Sequence, residues 1–95
     1  MPNPTKIFSL SPEAIGALGE TKRSQIVTRA LNKYLSDEDF KRRLATTVHE
    51  RSLGNRFGLR LRDEVIEQIQ VLAHNADVSP SRVVDQAVIE YVHQS

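Results

Sequence analysis

Arg56 and Arg60 sit in the stretch Arg56-Phe57-Gly58-Leu59-Arg60-Leu61, where polar and apolar residues alternate. On an extended chain both guanidinium groups and Gly58 point one way, and Phe57, Leu59 and Leu61 point the other. A second stretch, Lys6-Ile7-Phe8-Ser9-Leu10-Ser11, alternates in the same manner, with Thr5, Ile7 and Ser9 on the face away from Phe8 and Leu10. Lys22-Arg23, Arg29 and Arg62 add further cations. The distribution of charge matters more than the net value of +1: residues 1–35 hold five basic and two acidic side chains, whereas 56–95 hold four basic and six acidic. A local basic patch on a chain that is elsewhere acidic can hold phosphate.

The other reactive side chains gather into nothing recognisable. His49, His74 and His93 lack metal-ligand spacing, the serines have no paired His and acid, and there is no phosphate loop. The expectation is a protein without catalytic residues, cofactor or metal. No apolar run approaches the roughly 18 residues of a membrane helix, and the N-terminus, Met1-Pro2-Asn3-Pro4, has no basic and apolar leader. With no cysteine in the chain, a reducing, cytoplasmic setting without membrane contact is the natural reading.

Short strands are therefore expected at 6–11 and 56–61, and each is followed by helical signals. Ser11 suits an N-cap, Pro12 the first helical position and Glu13 the positive helix end. Ile15 and Leu18 then lie on one face before Gly19 stops a brief helix. After the second strand, Val65, Ile66, Ile69, Leu72 and Ala73 recur at helical spacing and predict a longer helix ending near Asn75 to Asp77. A further helix follows in both places. Thr21-Lys22-Arg23-Ser24 precedes Ile26, Val27, Ala30, Leu31 and Tyr34, and Ser79-Pro80-Ser81-Arg82 precedes Val83, Val84, Ala87, Val88 and Tyr91. The two patterns superpose once the first unit's leading helix is shortened. Between them, Ser36 as N-cap and Phe40, Leu44 and Val48 at every fourth residue predict a connecting helix over 37–51.

This organisation reads as one cooperative domain spanning 1–95, made of a first unit at 5–35, a helical linker at 36–55 and a second unit at 56–95. A lone six-residue strand leaves its backbone unpaired, and two strands are marginal without a helical roof. Pairing the two strands antiparallel answers both needs. Phe8, Leu10, Phe57, Leu59 and Leu61 then face the core, while Thr5, Ile7, Ser9, Arg56, Gly58 and Arg60 face outward, a set of mixed size and polarity suited to touching base edges.

Phe8-Ser-Leu-Ser-Pro-Glu-Ala-Ile15 with Lys22-Arg-Ser-Gln-Ile-Val-Thr-Arg-Ala-Leu31 resembles the ribbon-helix-helix superfamily of bacterial, phage and plasmid DNA-binding proteins, the Arc, MetJ and CopG group. Arg56 to Leu61 with Val78-Ser-Pro-Ser-Arg-Val-Val-Asp-Gln-Ala-Val88 is similar in the same way. Two copies in one chain resemble certain conjugation accessory proteins. The resemblance implies a mainly α fold with a two-stranded antiparallel β-ribbon, arranged as a tandem pseudo-dimer. It implies sequence-specific binding of double-stranded DNA by the ribbon in the major groove, in a transcriptional repressor or a plasmid or phage DNA-processing accessory protein.

Carried over by position, Arg56 and Arg60 would donate to guanine O6 and N7. Thr5 and Ser9 would bond either base type, Ile7 would touch a thymine methyl, and Gly58 would complete the face. The starts of the second helices would grip phosphates, through Lys22, Arg23 and Ser24 in one unit and Ser79, Ser81 and Arg82 in the other. Cooperative assembly on DNA is a further expectation. The alternative is an antitoxin or other protein-binding module that also binds DNA, with the 37–51 helix receiving the protein partner.

Overall fold

Alternation and capping explain most of the architecture. The computed structural model describes residues 5–19, 23–46 and 53–94. In chain order the elements are β1 (Thr5–Leu10), α1 (Pro12–Leu18), α2 (Arg23–Tyr34), α3 (Glu38–Thr46), β2 (Asn55–Arg60), α4 (Asp63–Ala76) and α5 (Pro80–Gln94). The fold is mainly helical with one two-stranded antiparallel sheet. Both strands begin and end one residue earlier than the alternation predicts, because Ser11 leaves β1 to cap α1 and Leu61 leaves β2 to enter the turn before α4.

Each helix boundary has a local cause. Ser11 is extended and its Oγ accepts the Ala14 N–H at 3.2 Å, with Pro12 at the first helical position. Gly19 then ends α1 at φ 72°, a conformation that penalises any side chain. At the end of α4 the chain turns through Asp77 at φ 58°, and the Val78 N–H reaches back to the Ala73 carbonyl at 2.9 Å. Ser79 caps α5 by accepting the Arg82 N–H at 3.2 Å.

The connecting helix differs from the expectation at its start. Its cap is Asp37, not Ser36: the Asp37 carboxylate accepts the Asp39 N–H at 2.9 Å and the Phe40 N–H at 3.4 Å. A carboxylate at this position also meets the positive helix end favourably, which a serine hydroxyl does not. The helix is described from Glu38 to Thr46, and Val48 lies outside the described residues.

Buried apolar side chains from every element form a single cluster. Phe8, Leu10, Phe57, Leu59 and Leu61 all enter it from the ribbon side, as the alternation requires. α5 is the central helix, with Val83, Val84, Ala87 and Val88 fully buried, and it packs against β1, α1, α2 and α4. α3 is held to the rest by Phe40, whose ring stacks on Tyr34 with centroids 4.9 Å apart. Arg43 reinforces it by donating to Glu90 on α5 at 2.6 Å. Burial, reinforced by the negative charge of Glu90, pushes the Tyr34 phenol above its ordinary range.

Candidate nucleic-acid interface

The register of the ribbon decides which side chains share a surface. Thr5 pairs with Arg60, Ile7 with Gly58 and Ser9 with Arg56, alternating with Lys6–Leu59, Phe8–Phe57 and Leu10–Asn55. With the Phe8–Phe57 rung packed into the core, the three rungs that include both arginines face away from it. Thr5, Ile7, Arg56, Gly58 and Arg60 are exposed and Ser9 is half-buried. All six outward candidates therefore lie on one face of one ribbon. Ile7 stands out, at 63% exposed, as the apolar member of that face.

The edge of the ribbon is finished by helix α5. The Ser9 N–H donates to Ser81 Oγ at 2.9 Å, and the Ser11 N–H donates to Asp85 Oδ1, also at 2.9 Å. Donors two residues apart on a strand meet acceptors four residues apart on a helix because about 6.7 Å of strand roughly matches 6 Å of helix. Ser11 Oγ also donates to Asp85 Oδ1 at 2.7 Å while accepting the Ala14 N–H, so one serine links β1, α1 and α5. Asp85 is fully buried. A buried carboxylate is tolerable only with such partners, and here they fix the start of α5 beside β1.

The geometry places part of the expected phosphate set. Ser79 and Arg82 lie at the start of α5, where Ser79 is exposed and Arg82 half-buried. Ser81, expected as a phosphate contact, places its Oγ as the acceptor for the ribbon backbone. In the other half, α2 begins at Arg23 and touches β2. Lys22 and the side chains of Arg23 and Ser24 lie outside the described residues. The helix that meets each strand thus comes from the opposite half of the chain: α5 lies along β1, and α2 meets β2.

Asp85 was not among the sequence-derived candidates. Its signal was a charged residue inside the run Val83-Val84-Asp85-Gln86-Ala87-Val88, on a helix whose neighbours in sequence are nearly all apolar. The Arg43–Glu90 pair, joining α3 to α5, left no comparable trace.

A different surface lies on the other helices. α3 and α4 bound a groove of about 680 Å³ whose lining includes Leu35, Lys41, Ala45, Glu67, Val71 and Leu72. Val71 is 56% exposed within it. Among the described residues no group of three His, Asp or Glu is gathered closely enough to hold a metal ion, and no helix is long and apolar enough to cross a membrane.

Searches with this chain match no family model, no curated protein and no solved structure.

Proposed function

We propose that the chain is a sequence-specific double-stranded DNA-binding protein, built as a tandem ribbon-helix-helix pseudo-dimer that sets its β-ribbon in the major groove. The observation that carries this reading is the shared outward face of Thr5, Ile7, Ser9, Arg56, Gly58 and Arg60. A two-stranded ribbon fits the roughly 12 Å width of the major groove, and two arginines on it supply the forked donors that guanine O6 and N7 accept. The crosswise contacts, α5 on β1 and α2 on β2, support the pseudo-dimer, because a helix from each half packs against the other half's strand, and α5 also hydrogen-bonds the edge of β1. In such a protein the starts of α2 and α5 hold backbone phosphates, here through the positive helix ends with Lys22, Arg23 and Arg82.

The role proposed with this binding is that of a transcriptional repressor or a plasmid or phage DNA-processing accessory protein. A second reading, that the chain also takes a protein partner as antitoxins do, draws on the groove between α3 and α4 with its exposed Val71. The DNA reading is tested by titrating duplex DNA with the full chain over 50–200 mM salt, a range in which about three to six phosphate contacts imply on the order of a 50- to 2,000-fold loss of affinity. Lys22→Ala with Arg23→Ala flattens that slope by about one unit per lost contact. A chain with no measurable affinity for duplex DNA at low salt would refute the proposal.

A further inference from the structure

The outward face of the ribbon is unlike its own mirror across the central rung. Exchanging the two strands about the Ile7–Gly58 pair sets Thr5 on Arg56, Ile7 on Gly58 and Ser9 on Arg60, and in no case do the residues match. Both guanidinium groups belong to β2, two positions either side of its centre, with Gly58 between them. The two hydroxyls and the isoleucine belong to β1. Gly58 is not demanded by the fold: its φ is not positive, and an added Cβ would meet Thr5 Cγ2 at 3.4 Å, an ordinary van der Waals distance. The missing side chain is a property of the surface that faces away from the core.

These spacings can be laid against a duplex. Residues next but one on a strand are about 6.7 Å apart, so Arg56 and Arg60, one such step on either side of Gly58, have Cα atoms roughly 13 Å apart. Base pairs rise about 3.4 Å, so the arginines start over positions about four base pairs apart. Each guanidinium fork reads one guanine, and with no side chain at Gly58 the centre between the forks is reached only from β1, by Ile7. The strands of a ribbon lie about 4.8 Å apart, which puts β2 nearer one DNA strand and β1 nearer the other.

We propose, resting on the DNA reading above, that the chain recognises a non-palindromic duplex element in a single orientation. The element carries two guanines on one DNA strand, on either side of a central pair whose thymine lies on the complementary strand. Arg56 and Arg60 take the guanine O6 and N7 edges, and Ile7 packs on the thymine C5-methyl. Gly58 keeps the β2 side of the centre clear. An isoleucine that is 63% exposed on a polar face has in that methyl an apolar partner.

Selection of duplexes from a random pool with the full chain tests the inference. The expected product is an asymmetric motif with both guanines on one strand and the thymine between them on the other. Replacing that thymine by uracil in the selected duplex removes only the methyl, and affinity should fall about fourfold, the worth of one buried carbon. The same replacement should cost the Ile7→Ala variant nothing. Because the uracil arm leaves the protein unaltered, folding cannot confuse it. A palindromic motif, guanines on opposite strands, or indifference to uracil would overturn this inference while leaving DNA binding intact. A pool with no enriched sequence would overturn the DNA reading itself.

Discussion

The two halves of the chain finish with helices that match in pattern and differ in attachment. α5 buries Val83, Val84, Ala87 and Val88 and holds the edge of β1 through Ser81 and Asp85. Its counterpart α2 buries Val27, Ala30, Leu31 and Tyr34, and the residue matching Asp85 is Thr28, which is half-buried. The leading helices differ as well: α1 has 7 residues and a serine cap, whereas α4 has 14 and has Arg62 at its N-cap position without a side-chain cap bond. Among the described residues, the comparison teaches that the Asp85 part of the lock is not repeated at the matching Thr28. One half supplies the longer roof and an anchored helix, and the other supplies the strand edge to which that helix is anchored.

The largest effects should fall where the halves share one core. Leu10→Ala and Leu61→Ala remove fully buried side chains from β1 and from the turn after β2, and each should cost about 2–5 kcal/mol. Urea denaturation should show one transition in both variants. Two separate transitions, or a near-neutral effect at either position, would mean that the halves are independent.

A smaller difference isolates the anchor. Asp85→Ala strands the buried Ser11 N–H and should cost about 1–3 kcal/mol, while Thr28→Val at the matching position should stay within about 0.5 kcal/mol. Equal losses at the two positions in the same denaturation experiment would erase the asymmetry argued above.

On the ribbon itself the contrast is between strands. Arg56→Ala and Arg60→Ala should each weaken the preferred DNA site by about 1–3 kcal/mol with no change in melting temperature, because both side chains are exposed in the free protein. Thr5→Ala and Ser9→Ala should cost less. If arginine loss weakens random and preferred duplexes alike, the arginines hold phosphates and the outward face does not read sequence.

Apart from the Thr28→Val control, the smallest effects on stability should come from α5's first turn. Ser79→Ala loses a helix cap, worth about 1 kcal/mol, and Ser81→Ala loses one hydrogen bond to the ribbon, worth about the same. On the proposed DNA reading, the second variant and not the first should also blur base preference, since Ser81, unlike Ser79, bonds the backbone of the ribbon residue Ser9. Selection on the same random pool measures that difference.

Much of this was legible from period-two alternation and from caps, which act over a few residues. The inward set of Phe8, Leu10, Phe57, Leu59 and Leu61, the Ser11 and Ser79 caps and the stop at Gly19 all follow from local rules. What was not legible depends on contacts between residues far apart in the chain. Nothing near Asp85 announces Ser11, 74 positions away, and nothing near Arg43 announces Glu90. The choice of Asp37 over Ser36 as the α3 cap was a local competition between two adjacent capping residues that propensity alone does not resolve.

The central claim, that outward arginines of the ribbon read guanines in the major groove, meets its most direct test in a duplex whose guanine N7 atoms are replaced by carbon. Such a duplex keeps its pairing and its phosphates and loses one of the two acceptors that each arginine fork requires. Affinity measured by fluorescence anisotropy should fall about tenfold for the unaltered chain, and the replacement at the guanine read by Arg60 should cost the Arg60→Ala variant nothing further. Unchanged affinity of the unaltered chain for the modified duplex would contradict the account.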